Sequence, residues 1–189
     1  MNAFEWTNAT TVEEALAALG EGAVVKAGGV DLLDRMKEGL EAPRRLVNIR
    51  YVKNLNWIAD HDKNGLRVGP TVTLAEVASS EIVQKRYPAL GAAAGWAATP
   101  QIRNMATSGG NLLQRPRCWY FRSEEFHCRK KGGERCFAQE GENQYHAIFG
   151  NQTCAIVHPS ALAVSLVALG GRVELTSAKG RREVALEEF

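Results

Sequence analysis

The chain has 189 residues, of which 45% are hydrophobic and 23% are charged, and its formal net charge at pH 7 is +2. This length allows one domain or two small ones with a buried core, and the composition is that of a soluble globular protein. The small net charge gives no indication of nucleic-acid binding, and no apolar run approaches the roughly 18 residues of a membrane-spanning helix.

Two capping-box patterns predict helix starts in the first half of the chain. Thr11–Glu14 opens a helix that runs to Gly20, and Thr73–Glu76 opens a helix over Leu74–Ala78. Short apolar runs between them predict strands at Ala23–Lys26, Leu46–Ile49, Leu55–Ala59 and Leu66–Val68, the last two joined by a turn at His61–Gly65.

Helices and strands are also predicted to alternate in the second half of the chain. Small residues predict a helix over Pro88–Ala98, an apolar run predicts a strand at Cys154–Val157, and Pro159 in a first turn predicts a helix through Leu169. Alternating residues predict a hairpin of Arg172–Thr176 and Arg182–Leu186 with Gly180 in its turn. Because no clear βαβ repeat is visible, we predict an α+β fold.

The sequence contains two Gly-Gly pairs in loops. One lies in Lys26–Asp31, directly after the predicted strand Ala23–Lys26, and the other lies in Ala106–Asn111. Glycine lets backbone N–H groups approach an anion closely, so such loops can bind phosphate, although a Gly-Gly pair is also common in ordinary tight turns. Neither loop has the GxGxxG or GxxxxGK[ST] pattern, so neither a Rossmann site nor an ATP-binding P-loop is indicated.

All four cysteines lie in one segment, with the spacing Cys118-x9-Cys128-x7-Cys136-x17-Cys154. Zinc sites usually contain a short C-x2–4-C pair, which is absent here, and disulfides require an oxidising compartment. An iron–sulfur cluster tolerates irregular spacing. The spacing therefore favours an iron–sulfur cluster and leaves zinc, disulfides and free thiols as alternatives.

The cysteine segment also contains several cations, aromatic residues and histidines. The ordinary interpretation of these cations is a solvent-exposed loop. The functional alternatives are that they offset the negative charge of thiolates or that they bind an acidic partner. The aromatic residues Trp119, Tyr120, Phe121 and Phe126 are expected to form a hydrophobic shell that limits water. The histidines, His127, His146 and His158, are expected to pack or hydrogen-bond rather than to bind metal.

Several segments resemble the FAD-binding medium subunit of molybdenum hydroxylases, the group that includes xanthine dehydrogenase, carbon monoxide dehydrogenase and aldehyde oxidoreductases. They are KAGGVDLLDRMK, RRLVNI, RVGPTVTLAEV, YPALGAAAGWAATPQIRNMATSGGNLLQ and HPSALAVSLVALG. The cysteine segment further resembles the branch of 4-hydroxybenzoyl-CoA reductase and periplasmic aldehyde oxidoreductase, in which the flavin subunit carries an extra [4Fe-4S] cluster.

This resemblance implies an α+β fold of the vanillyl-alcohol-oxidase (PCMH) type in two FAD-binding subdomains, 1–55 and 56–189, with an Fe–S insertion at 115–155. It implies that the cluster is bound by Cys118, Cys128, Cys136 and Cys154. The FAD-binding residues it implies are Lys26, Ala27, Gly28, Gly29, Val30, Asp31, Leu32, Leu33 and Asp34, which would wrap the pyrophosphate as one loop, and Thr107, Gly109, Gly110 and Asn111 near the flavin.

The chain departs from the family pattern at two places. The family has Asp where Ala161 stands, and that Asp contacts FAD, so we expect FAD binding to be weaker by about 1–2 kcal/mol. Family members also continue into a C-terminal domain beyond the position of Phe189, and we expect that domain to be missing here.

The function that the resemblance implies is that of an FAD-containing oxidoreductase subunit. It would transfer electrons between Fe–S clusters and FAD, with a molybdenum-cofactor large subunit and a [2Fe-2S] small subunit as partners. The alternatives are a non-enzymatic zinc or Fe–S interaction module and a stand-alone flavin oxidoreductase. The N-terminus lacks a signal-peptide pattern, so we expect a cytoplasmic location, or a periplasmic one if a partner's signal carries the chain.

Overall fold

The computed structural model describes residues 1–60 and 65–189, which fall into two units. The first unit consists of Met1–Asn2, Asp31–Ala42 and Gln114–Pro159, and it contains the whole cysteine insertion. The second consists of Ala3–Val30, Pro43–Leu113 and Ser160–Phe189, apart from the residues outside the description. The predicted subdomain boundary at residue 55 stays a prediction.

The strands of the described residues form three sheets, all in the second unit. The strands are β1 (Glu5–Asn8), β2 (Ala23–Lys26), β3 (Arg45–Asn48), β4 (Ile58–Asp60), β5 (Leu66–Val68), β6 (Arg172–Ser177) and β7 (Gly180–Ala185). The first sheet is parallel with the order β1-β3-β2, whereas β4–β5 and β6–β7 are antiparallel pairs. The register of the parallel sheet places Lys26 beside Asn48, so both strands end at the same edge.

The helices are mostly short. They are α1 (Val12–Ala18), α2 (Val30–Lys37), α3 (Leu74–Ser79), α4 (Glu81–Arg86), α5 (Pro88–Trp96), α6 (Pro100–Arg103), α7 (Ser108–Leu112), α8 (Trp119–Arg122) and α9 (Ala161–Ala168). Short 3-10 turns cover Arg129–Lys131, Phe137–Gln139 and Leu186–Glu188. Within the described residues, no helix has the length and apolar character needed to cross a membrane.

Local signals in the sequence located many of these elements correctly. The capping box at Thr73 forms in full, because Thr73 Oγ1 accepts a hydrogen bond from the Glu76 N–H and the Glu76 carboxylate accepts one from the Thr73 N–H. The hairpin of β6 and β7 is confirmed, with Gly180 at a positive φ of 123°. Four of the five residues of the predicted turn at His61–Gly65 lie outside the described residues.

Other elements differ from the prediction. Strand β1 was not predicted, and β2, α2 and β3 form a βαβ connection between adjacent parallel strands. The predicted strand at Cys154–Val157 is wrong. Its backbone bonds to loops instead, since the Ala155 carbonyl accepts from the Ala147 N–H and the Ala155 N–H points to Cys136 Sγ.

The second unit contains two apolar cores. The larger packs α3, α4, α5 and α9 around buried residues that include Val77, Val83 and Leu162. The smaller packs α1 against β3 through Ala15 and Val47. Both glycine pairs, Gly28–Gly29 and Gly109–Gly110, belong to this unit.

Candidate functional site: the cysteine cavity and the glycine loops

The four cysteines, spread over the insertion, line one cavity within the first unit. Cys128 is buried, and Cys118, Cys136 and Cys154 are half-buried; none of the four forms a disulfide. The other lining residues are mainly apolar and aromatic, and they include two cations. They are Tyr120, Phe121, Arg129, Lys130, Phe137, Ala138, His146 and Ile156. The structure therefore brings together all four residues predicted to bind metal.

Three of the four thiols occupy equivalent positions in local structure. Cys118 precedes the short helix α8, and Cys128 and Cys136 each precede a 3-10 turn. In such a position the backbone N–H groups of the following turn are not used within the helix and can point to the thiol. The N–H groups of Tyr120 and Phe121 do so toward Cys118.

The Cys118 thiol has a raised pKa. Burial is the largest cause, and the negative charges of Cys128 and Cys136 add to it. The two backbone hydrogen bonds from Phe121 and Tyr120 act in the opposite direction and do not outweigh burial. A positively charged group bound between the thiols would reverse this balance and favour the thiolate forms.

A network of aromatic rings surrounds the cavity. Tyr120 packs edge-on against Phe126 at a centroid distance of 4.9 Å, and Phe126 packs against Phe137 at 5.1 Å. Trp119 packs edge-on against His146 at 4.9 Å. Tyr120 and Phe121 of the expected shell line the cavity, together with Phe137, which the sequence did not single out, while Trp119 and Phe126 pack on these rings or on His146. That the rings limit water at a cluster stays a prediction.

His146 is the histidine nearest to the thiols, with Nε2 3.2 Å from Cys118 Sγ. The expectation that a histidine of this segment hydrogen-bonds is confirmed for His146. In contrast, His127 and His158 are exposed and do not line the cavity.

The described residues contain no group of three or more His, Cys, Asp or Glu side chains arranged to hold one metal ion. The four thiols line the same cavity without forming such a group.

The first glycine loop combines close packing with an unusual backbone conformation. Gly28 is buried against the carbonyl of Met105, and a Cβ at this position would overlap that oxygen. Gly29 has a φ of 82°, which a residue with a side chain rarely adopts. Among the described residues, no hydrogen bond uses the backbone N–H of Ala27, Gly28 or Gly29.

Helix α2 begins directly after this loop, at Val30, so Val30–Asp34 are helical and are not part of an extended loop as the sequence reasoning expected. The free N–H groups of the loop together with the helix start form a favourable setting for a phosphate. Lys26 lies beside the loop, and its pKa is lowered by burial and by the nearby charge of Arg50. Lys26 is the last residue of β2, and Arg50 comes two residues after the end of β3. The register of the parallel sheet brings these two strand ends together, which the sequence alone does not show.

Asp31 is held by arginines of its own unit. Its carboxylate accepts hydrogen bonds from Arg35 Nε at 3.0 Å, the Arg115 N–H at 3.0 Å and Arg122 at 2.7 Å. Burial alone raises the pKa of Asp31, but the hydrogen bonds from Arg115 and Arg122 and the charge of Arg35 hold it below its ordinary value of 3.8. Leu32 is buried, Leu33 is half-buried and Asp34 is exposed.

In the second glycine loop, the polar atoms hold the loop itself. Thr107 Oγ1 accepts from the Gly110 N–H at 3.2 Å, and the Gly109 N–H donates to the Pro70 carbonyl at 3.0 Å. Asn111 Oδ1 accepts from Ser160 Oγ at 2.7 Å and from the Leu162 N–H at 3.2 Å. The two glycine loops meet in the second unit, since Met105 precedes this loop and packs on Gly28.

Residues 2–189 match the family described as the FAD binding domain in molybdopterin dehydrogenase. The chain belongs to this family. The resemblance seen in the sequence is thereby confirmed at the level of the family, and FAD is confirmed as the cofactor of this type of domain.

Two relatives and one solved structure illustrate the relationship. The aldehyde oxidoreductase FAD-binding subunit PaoB of Escherichia coli is 37% identical over 194 residues, covering 100% of this chain and 61% of that protein. The xanthine dehydrogenase FAD-binding subunit of Escherichia coli is 36% identical over 106 residues, covering 55% of this chain and 36% of that protein. Carbon monoxide dehydrogenase from Hydrogenophaga pseudoflava is 26% identical with a TM-score of 0.70, covering 100% of this chain and 52% of that one.

This FAD-binding domain spans between about one third and three fifths of the length of these relatives. Its first loop fits the phosphates of a dinucleotide, because it offers backbone N–H groups that are not otherwise used among the described residues, beside the cation of Lys26. Its four thiols fit an iron–sulfur group by donor type and by their common cavity.

Proposed function

We propose that this chain is the FAD-binding, electron-transferring part of a molybdenum-dependent hydroxylase or dehydrogenase, and that its four cysteines hold a [4Fe-4S] cluster. One observation carries the proposal. In a chain that belongs to an FAD-binding family, four thiols from distant positions line a single cavity with an aromatic shell.

The donor set supports a cluster over the alternatives. Thiolates are soft ligands that suit iron–sulfur groups, and a cluster several ångströms across needs ligands around a space. The four thiols line one cavity and are not paired in disulfides. The aromatic shell would keep water from the sulfurs, and such exclusion is one of the factors that set a cluster's reduction potential.

The extent of the relatives' similarity supports the aldehyde oxidoreductase branch. The match to PaoB spans the whole chain and therefore includes the cysteine insertion, whereas the match to the xanthine dehydrogenase subunit covers 55% of the chain. We therefore propose that the chain belongs with relatives of the first kind.

For FAD, we propose that the backbone N–H groups of Ala27, Gly28 and Gly29 and the start of α2 bind the pyrophosphate, with Lys26 adding positive charge. Asp31 then acts indirectly, by fixing α2 through its arginine contacts. Thr107, Gly109, Gly110 and Asn111 shape the second loop and bring its backbone to the flavin side of the dinucleotide.

We propose that the partners are a molybdenum-cofactor large subunit and a [2Fe-2S] small subunit. Bound FAD would exchange single electrons with Fe–S centres and pairs of electrons with an acceptor. No side chain of the chain is assigned a proton-transfer role. The chain's own contribution is to hold two redox groups and to limit their contact with water.

The proposal is tested by expressing the full chain with added iron, purifying it without oxygen, and measuring iron, sulfide, zinc and FAD. About four irons and four sulfides per chain, with flavin absorbance, are expected for a [4Fe-4S] flavoprotein. Stoichiometric zinc without iron would contradict the cluster, and a protein that takes up no FAD would contradict the flavin role.

The ligand assignment is tested with Cys136→Ser. This variant is expected to lose most of its iron while FAD uptake persists, since Cys136 lies in the first unit and the glycine pairs lie in the second. Thr153→Ser, an exposed position beside Cys154, is the control and is expected to keep its iron. Full iron content in Cys136→Ser would refute the assignment.

A further inference from the structure

His146 contacts a proposed cluster ligand from a position 28 residues away in the sequence. Its Nε2 lies 3.2 Å from Cys118 Sγ, within hydrogen-bonding distance for sulfur. The ring is half-buried and its orientation is fixed by the edge-on packing of Trp119 at 4.9 Å. The imidazole is therefore part of the inner wall of the cavity.

The surroundings of the other ring nitrogen decide which atom carries the proton. Nδ1 is buried and has no hydrogen-bond partner among the described residues. A neutral imidazole has one N–H group, and a metal-bound thiolate has no proton to donate. A contact of 3.2 Å between Nε2 and a bound Cys118 sulfur is favourable only if Nε2 carries the hydrogen.

We propose that His146 is a positioning residue that donates an Nε2–H hydrogen bond to the Cys118 thiolate and thereby raises the reduction potential of the cluster. The inference rests on the proposed function, because it requires the cluster. An N–H dipole aimed at a ligand sulfur stabilises negative charge, and reduction adds negative charge to the cluster. The cavity wall is largely aromatic and apolar, and a local dielectric lower than that of water strengthens this effect.

The backbone near Cys118 directs hydrogen bonds to the same sulfur, so His146 adds to an existing group of donors. The N–H groups of Tyr120 and Phe121 come from α8, which the sulfur precedes. They remain when His146 is substituted. The part of the potential that His146 controls can therefore be separated from the part that the local backbone controls.

The experiment uses the full chain with its cluster, purified without oxygen, as wild type, H146F, H146Q and H127F. Iron content is measured first, and the midpoint potential is then measured by redox titration monitored by electron paramagnetic resonance. H146F is expected to keep its iron and to have a lower potential, with the ratio of reduced to oxidised cluster falling roughly tenfold at a fixed potential, the effect of about one hydrogen bond to a charged group. H146Q keeps an N–H donor and is expected to have a potential between those of H146F and wild type.

H127F is the matched control, because His127 is exposed in the same insertion and does not line the cavity. It is expected to have the wild-type potential. Three results would overturn the inference: a wild-type potential in H146F, loss of iron from H146F, or a potential in H146Q no higher than in H146F. Absence of iron from the wild type would instead contradict the proposed function, so the two failures are distinguishable.

Discussion

The guanidinium of Arg122 lies 2.7 Å from the carboxylate of Asp31, a residue 91 positions earlier in the chain. Only 11% of the Arg122 side chain and 14% of the Asp31 side chain are exposed. Arg122 also pairs with Glu38 at 3.1 Å and donates from Nε to the Pro116 carbonyl at 2.9 Å. One side chain thus joins α2 to the segment that carries Cys118.

We expect Arg122→Met to lower the free energy of unfolding by about 2 kcal/mol. Removal of one partner leaves the largely buried Asp31 carboxylate without its closest cation, although Arg35 and the Arg115 N–H remain. Urea unfolding of the full chain measures the change. Arg181→Met is the control, because Arg181 is exposed and lies 3.6 Å from Glu174, and it is expected to change stability little. Equal losses in both variants would contradict the role given to Arg122.

Because of Asp31, we expect the free energy of unfolding to decrease at acidic pH. Because its pKa in the folded protein is below the ordinary value of 3.8, the folded state binds fewer protons than the unfolded state in that range. The contribution of Asp31 is therefore complete above the unfolded pKa and is lost as the pH falls below it. Glu14 and Glu76, whose pKa values are also lowered, contribute in the same direction.

The measurement is the urea midpoint between pH 6 and pH 3 for wild type and Asp31→Asn. The asparagine variant is expected to be less stable at pH 6 and to lose less stability on acidification. A wild-type slope in Asp31→Asn would show that the carboxylate does not titrate as its contacts require.

Gly28→Ala tests the packing of the first loop. A Cβ at Gly28 would overlap the Met105 carbonyl, so the loop must move, and we expect a loss of about 1–3 kcal/mol of stability together with weaker FAD binding. Thermal unfolding and FAD titration measure the two effects. Gly20→Ala is the control, because a Cβ at Gly20 meets no atom within 4 Å. Wild-type FAD affinity in Gly28→Ala would exclude this loop from the FAD site.

Ala161→Asp tests the departure from the family pattern. Ala161 is the first residue of α9, and we expect an Asp at this position, which the sequence resemblance implies for the family, to strengthen FAD binding by about 1–2 kcal/mol. FAD titration checks this. Ala163→Asp lies in the same helical turn and gains the same favourable interaction with the helix dipole, so it separates helix stabilisation from FAD contact. Equal affinity gains in both variants would contradict a direct contact at position 161.

The sequence indicated the candidate site through its residue types, namely four cysteines and a pair of glycines. Four cysteines in one segment predicted a shared ligand, and the structure places all four around one cavity. The glycine pair at Gly28 predicted a close backbone approach, and the approach is to the Met105 carbonyl. The common location of the thiols follows from residue type and spacing, whereas the ligand they share and the anion expected at Gly28 stay predictions.

The residues that the sequence reasoning missed act through distant partners. His146 gains its role from Cys118, and Arg122 gains its role from Asp31, but neither pair has a spacing that a sequence pattern can reveal. The segment after Cys154 has the composition of a strand, yet its N–H and C=O groups bond to a thiol and a loop.

The amino-acid sequence by itself determined the family, the helix at Thr73, the hairpin of β6 and β7, and the thiol donors, because each depends on residues close together in the chain or on side-chain chemistry. The tertiary structure alone decided the pairing of β1 with β3, the neighbours of each thiol and the burial of Asp31. These features depend on contacts between distant segments, whose free energies are set by packing and burial in the folded chain.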